Sequence, residues 1–199
     1  MPIDPASLDP DPFRQFDAWL TEARAADLPL PDAFALATAD RNGAPSVRML
    51  LLRGHGPDGL QFYTNRASRK GRDLAANPRG AALFHWPAFE RQLRVSGPIQ
   101  PLDEVESAAY FADRPRGSQL SAWASDQGEP IAGRDALEAA VAAADARFPG
   151  DVPLPTDWGG YRLLPERFEF WVSREDRLHD RVEYVREPDG SWTRRRLQP

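Results

Sequence analysis

An α+β fold, an antiparallel β-barrel with helices packed outside it, is the class this sequence predicts. Three observations carry the prediction. Five short strand-like segments arrive before residue 103. A helical block covers 103–148, and strand-like segments resume over 161–197. Short strands at close intervals read as a barrel or sandwich, whereas strands interleaved with helices would read as a parallel sheet.

Residues 1–11 are Pro-rich with few apolar groups, so they read as a flexible N-terminal arm, leaving 12–199 as a single domain. Asp11 offers a capping side chain and Pro12 the first helical residue. Phe13, Phe16, Leu20 and Ala23 then recur at helical spacing as far as about Ala26. A strand over 33–39 ends at the turn Asp40-Arg41-Asn42-Gly43. Residues 46–53, with Val47, Met49, Leu50, Leu51 and Leu52, read as a buried strand. A turn over 55–59 leads to a short alternating strand over 60–64. Residues 72–76 read as helix and stop before Asn77-Pro78, and 80–86 and 92–102 are two more strands.

Helices are expected over 103–112, 118–125 and 135–148. The first has an acidic opening turn, and the last is Ala-rich and ends before Pro149-Gly150. Strands follow over 161–164, 167–172, 181–186 and 191–197, the last pair joined at Pro188-Asp189-Gly190.

Composition excludes several classes of function. The chain has 199 residues and no cysteine, which removes disulfide frameworks, thiolate metal sites and cysteine nucleophiles. Its net charge of −5 argues against general nucleic-acid binding. No apolar run approaches the length of a membrane span, and the N-terminus lacks the pattern of a secretory signal, so the expected location is cytoplasmic. His and carboxylates show no metal-ligand spacing, so no metal is expected. Motifs of the GxSxG, P-loop and GxGxxG types are missing. Of 25 basic side chains, only Lys70 is a lysine. A GC-rich codon bias accounts for that ratio and singles out Lys70.

Three segments concentrate cations: 66–72 (RASRKGR), 114–118 (RPRGS) and 177–181 (RLHDR). In the first, Ser68 is placed to cap a helix beginning near Arg69, whose free N–H groups and positive dipole end favour a phosphate. Tyr63 and Thr64 lie just upstream. In the second, Arg114 offers a bidentate fork and Ser118 a hydroxyl in the first turn of the next helix, with Tyr110 one turn before Arg114. In the third, strand geometry would place Arg177, His179 and Arg181 on one face, two fixed cations beside a titratable imidazole. Any one cluster is more often a solvated surface; the three together predict at least two anion sites.

The ordered motifs carry a more specific reading. DPFRQFDAWL, FYTNRASRKGRDLAANPR, ERQLRVSGPI, YFADRPRGSQLSAWAS, VPLPTDWGGYRL and FEFWVSREDRLHDR follow one another between Asp11 and the C-terminal RRLQP. In this set the chain resembles the pyridoxine/pyridoxamine 5′-phosphate oxidases of the FMN-binding split-barrel class. That resemblance implies an antiparallel split β-barrel and FMN as cofactor. It also implies oxidation of the C4′ carbon of pyridoxine or pyridoxamine 5′-phosphate to pyridoxal 5′-phosphate, with O2 reduced to H2O2. A homodimer with FMN at the subunit interface follows from it as well.

By the same resemblance, Arg48, Met49, Leu50 and Leu51 run along the flavin. Tyr63, Thr64, Arg69 and Lys70 hold its phosphate and ribityl chain. Gln92, Gln127, Gly128, Trp171 and Arg181 complete the cofactor contacts. Tyr110, Arg114 and Ser118 bind the substrate phosphate, and Arg53 belongs to both sets. Arg177 and His179 frame the pyridine ring and its reacting carbon, and are the expected catalytic pair. Arg53 stands where the family usually has Lys, and Gly128 where it often has Ser. Two rivals remain at this level: a related FMN enzyme of the phenazine-biosynthesis type, and a non-enzymatic flavin or pyridoxal-phosphate carrier.

Overall fold

The structure is a computed structural model that describes residues 2–199. Ten antiparallel strands form a curled sheet, and five helices pack on it. Helix α1 (Pro12–Ala25) opens the domain, and the Asp11 side chain accepts a hydrogen bond from the Phe13 amide, as the capping signal predicts. Strands β1 (Ala33–Ala39), β2 (Pro45–Leu51), β3 (Gly54–Gly56) and β4 (Gly59–Asn65) precede α2 (Arg69–Ala76). Strands β5 (Arg79–Trp86) and β6 (Arg91–Pro101) lead into α3 (Glu104–Ala112), α4 (Arg116–Ala124) and α5 (Arg134–Arg147). The sheet is completed by β7 (Trp158–Leu163), β8 (Arg167–Val172), β9 (Asp180–Arg186) and β10 (Trp192–Arg196).

The main path runs β10-β9-β8-β6-β5-β1-β2. The long β6 also changes partner: its end, Ile99 to Pro101, pairs with β7, which in turn pairs with β4. This switch splits the barrel wall and brings β4 and β7 beneath the helical block. Two cores result. Phe16, Trp19 and Leu20 of α1 pack with Phe34, Phe84, Phe168 and Phe170 of the sheet. A smaller cluster of Phe111, Leu120, Ala144, Val152 and Trp158 joins α3, α4 and α5 to β7.

Three expectations change. The N-terminal arm, read as flexible, is docked: Ile3 and Leu8 are buried in the main core. The Ile3 amide donates to Asp180, and Arg196 and Arg194 donate to the Ile3 and Leu8 carbonyls. Two apolar side chains and hydrogen bonds from the arm's backbone to side chains of β9 and β10 suffice to hold a segment whose composition alone carries no core. Strand β2, read as buried, is the open edge of the main path. Val47 and Met49 are 69% and 64% exposed. Their alternation with Arg48 and Leu50 turns them away from the core, which a run of apolar residues conceals at sequence level. The turn expected over 55–59 contains β3, which pairs with β4. Among the described residues no helix is long and apolar enough to cross a membrane.

Candidate active site

A cleft of about 510 Å³ lies between the split barrel and the helices. Its floor comes from β2 and β4, through Leu50, Leu51, Tyr63 and Thr64. Arg53, Tyr110, Arg114 and Gln127 stand around it. The second cluster reaches this cavity through Arg114, with neighbouring Tyr110; no residue of the first, 66–72, lines it, although Thr64 and Gln127, which do, bond Lys70.

Lys70 is the deepest cation near it, only 7% exposed. Its Nζ donates to Gln127 Oε1 at 2.7 Å and to the Thr64 and Ser68 hydroxyls at 3.1 Å each. All three acceptors are neutral. Burial, and secondarily the charge of Arg48, pull Lys70 from its usual 10.5 down to about 8. A cation held this way is under-compensated, and a phosphate oxygen is the partner that restores its charge. Ser68 precedes α2 as expected, but its side chain makes no cap bond; its hydroxyl donates to the Asn65 carbonyl and accepts from Lys70. That leaves the first amides of α2 free of a side-chain cap, a better arrangement for an anion than the capped one expected.

Arg48 points back from β2 to the Thr38 hydroxyl at 2.7 Å and the Leu36 carbonyl at 3.1 Å. Buried Asp73 of α2 accepts from Thr38 and Ser46 at 2.6 and 2.7 Å. Burial by itself would raise the Asp73 carboxyl, yet these hydrogen bonds and the charges of Arg48 and Arg69 hold it below its ordinary value. The network pins α2, and hence Lys70, to β1 and β2.

In the second cluster, Arg114 Nη1 is buried with no hydrogen-bond partner. Burial disfavours the Arg114 cation; nearby Tyr110 opposes that, and Arg53 adds to it. The guanidinium of Arg53 lies 5.9 Å from the Tyr110 ring centre. Arg53 and Arg114 therefore form an electropositive corner with unsatisfied donors, while Lys70 forms a second. Both donor sets have the chemistry to hold a phosphate group.

The third cluster lies elsewhere. Gln92, Trp171 and Arg181 occupy one row across β6, β8 and β9, each in register with the next. His179 lies against Trp171, ring centres 4.6 Å apart, and its Nδ1 accepts from the Arg174 amide. Arg177 ends a 3₁₀ turn, with φ of +60°, so Arg177, His179 and Arg181 do not share a strand as expected; only Arg181 is in β9. The left-handed turn breaks the extended geometry after β8 and leaves Arg177 exposed. None of these five residues lines the cleft. Arg48, Met49, Arg69, Lys70, Ser118 and Gly128 also lie outside its lining. Gly128 follows Gln127 with φ of +98°, a conformation that suits glycine.

Sequence reasoning missed several walls of the cleft. Leu137 and Val141 of α5, Ser121 and Ser125 near α4, and Trp158 all line it. The one available signal was the WGG run at 158–160, whose adjacent glycines mark a close approach.

Comparisons with known proteins place this geometry. The family model described as "Pyridoxamine 5'-phosphate oxidase" matches residues 20–148. The model described as "Pyridoxine 5'-phosphate oxidase C-terminal dimerisation region" matches residues 158–199. The chain is 55% identical over 192 residues to the pyridoxine/pyridoxamine 5′-phosphate oxidase of Rubrobacter xylanophilus, covering 96% of this chain and 88% of that one. It is 54% identical over 200 residues to that of Anaeromyxobacter dehalogenans, with full coverage of both. Among solved structures, PhzG from Burkholderia lata, in complex with tetrahydrophenazine-1-carboxylic acid, superposes with a TM-score of 0.92 at 33% identity, covering 99% and 98% of the two chains. A pyridoxamine 5′-phosphate oxidase-related, FMN-binding protein from Nostoc punctiforme shares the fold, with a TM-score of 0.76 at 20% identity, covering 96% and 100%.

Proposed function

Because this chain belongs to the pyridoxine/pyridoxamine 5′-phosphate oxidase family, we propose that it oxidises pyridoxine and pyridoxamine 5′-phosphate to pyridoxal 5′-phosphate with FMN. The observation that carries the reading is a pair of under-compensated cations: Lys70, bonded only to neutral acceptors, two of which (Thr64 and Gln127) line the cleft, and Arg114, which lines it with a buried N–H lacking any partner. Two phosphorylated molecules meeting in one cavity require such a pair.

The chemistry supplied by bound FMN is acceptance of a hydride equivalent from C4′, with O2 as terminal oxidant and H2O2 as its product. The protein's own contribution is placement and charge. Lys70, Thr64 and Arg69 hold the cofactor phosphate, with Tyr63 and Gln127 beside it and Arg48 to Leu51 along the ring system. Arg114, Tyr110, Ser118 and Arg53 hold the substrate phosphate. Thus the substrate is anchored at its phosphate end, and C4′ is presented at a fixed distance from that anchor.

Arg177 and His179 complete the reaction centre across a two-fold axis. In one protomer they lie with Gln92, Trp171 and Arg181 outside the cleft, so a second copy supplies them. Exposed Val47 and Met49 on edge strand β2, together with the match to a dimerisation region over residues 158–199, support a homodimer. Arg177 then steadies negative charge developing on the transferred fragment, and His179 orients polar ring substituents. Small diffusible substrates and a chain without cysteine are consistent with a cytoplasmic setting.

The likeness to PhzG supports one second reading, an FMN enzyme acting on a bulkier ring system. An absorption spectrum of the purified protein and an oxygen-consumption assay separate the two. A yellow protein that turns over phosphorylated vitamers supports the proposal. A protein that cannot be loaded with FMN, or one that ignores both vitamers while oxidising a phenazine precursor, defeats it.

A further inference from the structure

The WGG run at 158–160 has a structural logic that bears on the substrate site. In the register of β4 and β7, Tyr63 lies opposite Gly160 and Thr64 opposite Gly159. A Cβ at Gly160 would stand 2.7 Å from Tyr63 Cε1, so the bare backbone is the seat of that ring. At Gly159 the space is filled by the Arg66 guanidinium, which donates to the Leu102 carbonyl. Tyr63, lying flat, comes within 5.5 Å of Trp158 at an interplanar angle of 11°. Tyr110 of α3 then stacks on Tyr63 at 3.9 Å and 13°, and is parallel to Trp158 within 3°. Three parallel rings therefore tie the sheet to the helical block.

Arg114 rests on this assembly. Its Cζ lies 4.7 Å from the Trp158 ring centre and 5.5 Å from that of Phe111. A ring face and a carboxylate hold a guanidinium with opposite consequences. A carboxylate would neutralise it and occupy its N–H donors, competing with an incoming anion. A ring face attracts the cation through its quadrupole and leaves the donors free. Trp158, 7% exposed and part of the small core, supplies such a face.

We propose that Trp158 is a positioning residue for recognition of the substrate's phosphomonoester, holding Arg114 and Tyr110 where they receive it. The inference rests on the reading that Arg114 and Tyr110 bind that phosphate. It assigns the indole a role beyond packing, and the glycine at 160 gives Tyr63 room to stack beside it.

The test uses FMN-loaded Trp158→Phe and Trp158→Leu proteins beside the wild type. Kinetics with pyridoxine 5′-phosphate are paired with FMN content and with calorimetric binding of inorganic phosphate to the holoenzyme. Trp158→Leu is expected to raise KM and weaken phosphate binding by about tenfold, the scale of a desolvated cation–ring contact. FMN stays bound, kcat changes by less than about threefold, and Trp158→Phe recovers most of the loss. An unchanged KM, or FMN lost in parallel with substrate affinity, overturns the positioning role. Gly160→Ala, which displaces Tyr63 while keeping the indole, provides an independent perturbation and should raise the same KM; no change there also counts against it. A wild type inactive on both vitamers, whose phosphate affinity still falls on Trp158→Leu, would sink the oxidase reading and support the positioning role.

Discussion

Lys70 donates a 2.7 Å hydrogen bond to Gln127, 57 residues further along the chain, and so joins the first turn of α2 to the segment that follows α4. One ammonium thereby connects the split barrel to the helical block at the floor of the cleft. Its other partners, Thr64 and Ser68, are neutral hydroxyls. A buried cation surrounded only by dipoles is poised for an anion, and its environment makes that binding sensitive to pH.

Affinity for FMN should depend on the Lys70 proton. In the ligand-free protein the ammonium titrates at about 8, and a bound phosphate favours the protonated form. Affinity is therefore expected to be flat below pH 8. Above it, affinity should fall by up to about tenfold per pH unit. For folding of the ligand-free protein the sign is reversed. Between about 8 and 10.5 the unfolded chain binds more protons, so this group's contribution to stability rises with pH. Flavin fluorescence titrations from pH 6 to pH 10 measure the first effect; a curve without a break near 8 removes Lys70 from the phosphate site.

Lys70→Arg should weaken FMN binding by about tenfold, the cost of displacing a charge-assisted hydrogen bond in a tight site. Arg is longer and planar, and the space between Thr64, Ser68 and Gln127 is sized for a compact ammonium. Lys70→Met should cost at least as much and abolish the pH dependence. Equal affinity for wild type and Lys70→Arg would show that charge alone is sufficient there.

Arg53→Lys should act on the substrate. Arg53 lines the cleft near Tyr110 and close enough to Arg114 to act on its charge. A change of about two- to fivefold in KM for pyridoxine 5′-phosphate is expected, with FMN affinity and kcat preserved. If FMN affinity moves instead, Arg53 belongs to the cofactor's corner.

Arg177→Ala should separate chemistry from cofactor binding. The residue is exposed at the end of a turn outside the cleft, so its removal leaves the core and the Lys70 pocket intact. A fall in kcat of about a hundredfold or more is expected, with FMN content unchanged. Apoprotein on purification would contradict the assigned role.

Val47→Glu should break the dimer. Met49 and Val47 project from the open edge of the main sheet. A charge there costs nothing in an isolated protomer but is expensive in an apolar interface. Sedimentation velocity should report a monomer, and activity should fall with it, because Arg177 and His179 would no longer meet the cleft. An active monomer would mean that one chain holds a complete site.

The sequence by itself determined the class of fold, most element positions and which side chains are candidates to bind anions. These properties are local. Turn residues, helical spacing and the capping Asp11 act over a few neighbours, so β8 (Arg167–Val172) and α1 (Pro12–Ala25) match expectation closely. Lys70, Arg114 and Tyr110 were legible because a phosphate calls for such groups wherever they lie. Three-dimensional packing decided what depends on distant partners. Val47 and Met49 are as apolar as a buried strand, and only their place at a sheet edge exposes them. Residues 1–11 look unable to order themselves, yet β9 and β10 hold them. The extended geometry expected for 177–181 failed because two successive left-handed residues, Asp176 and Arg177, turn the chain there. That Arg114 rests on Trp158, 44 positions later, follows from the pairing of β4 with β7 and from the room that Gly160 leaves for the Tyr63 ring, relations that no local pattern encodes.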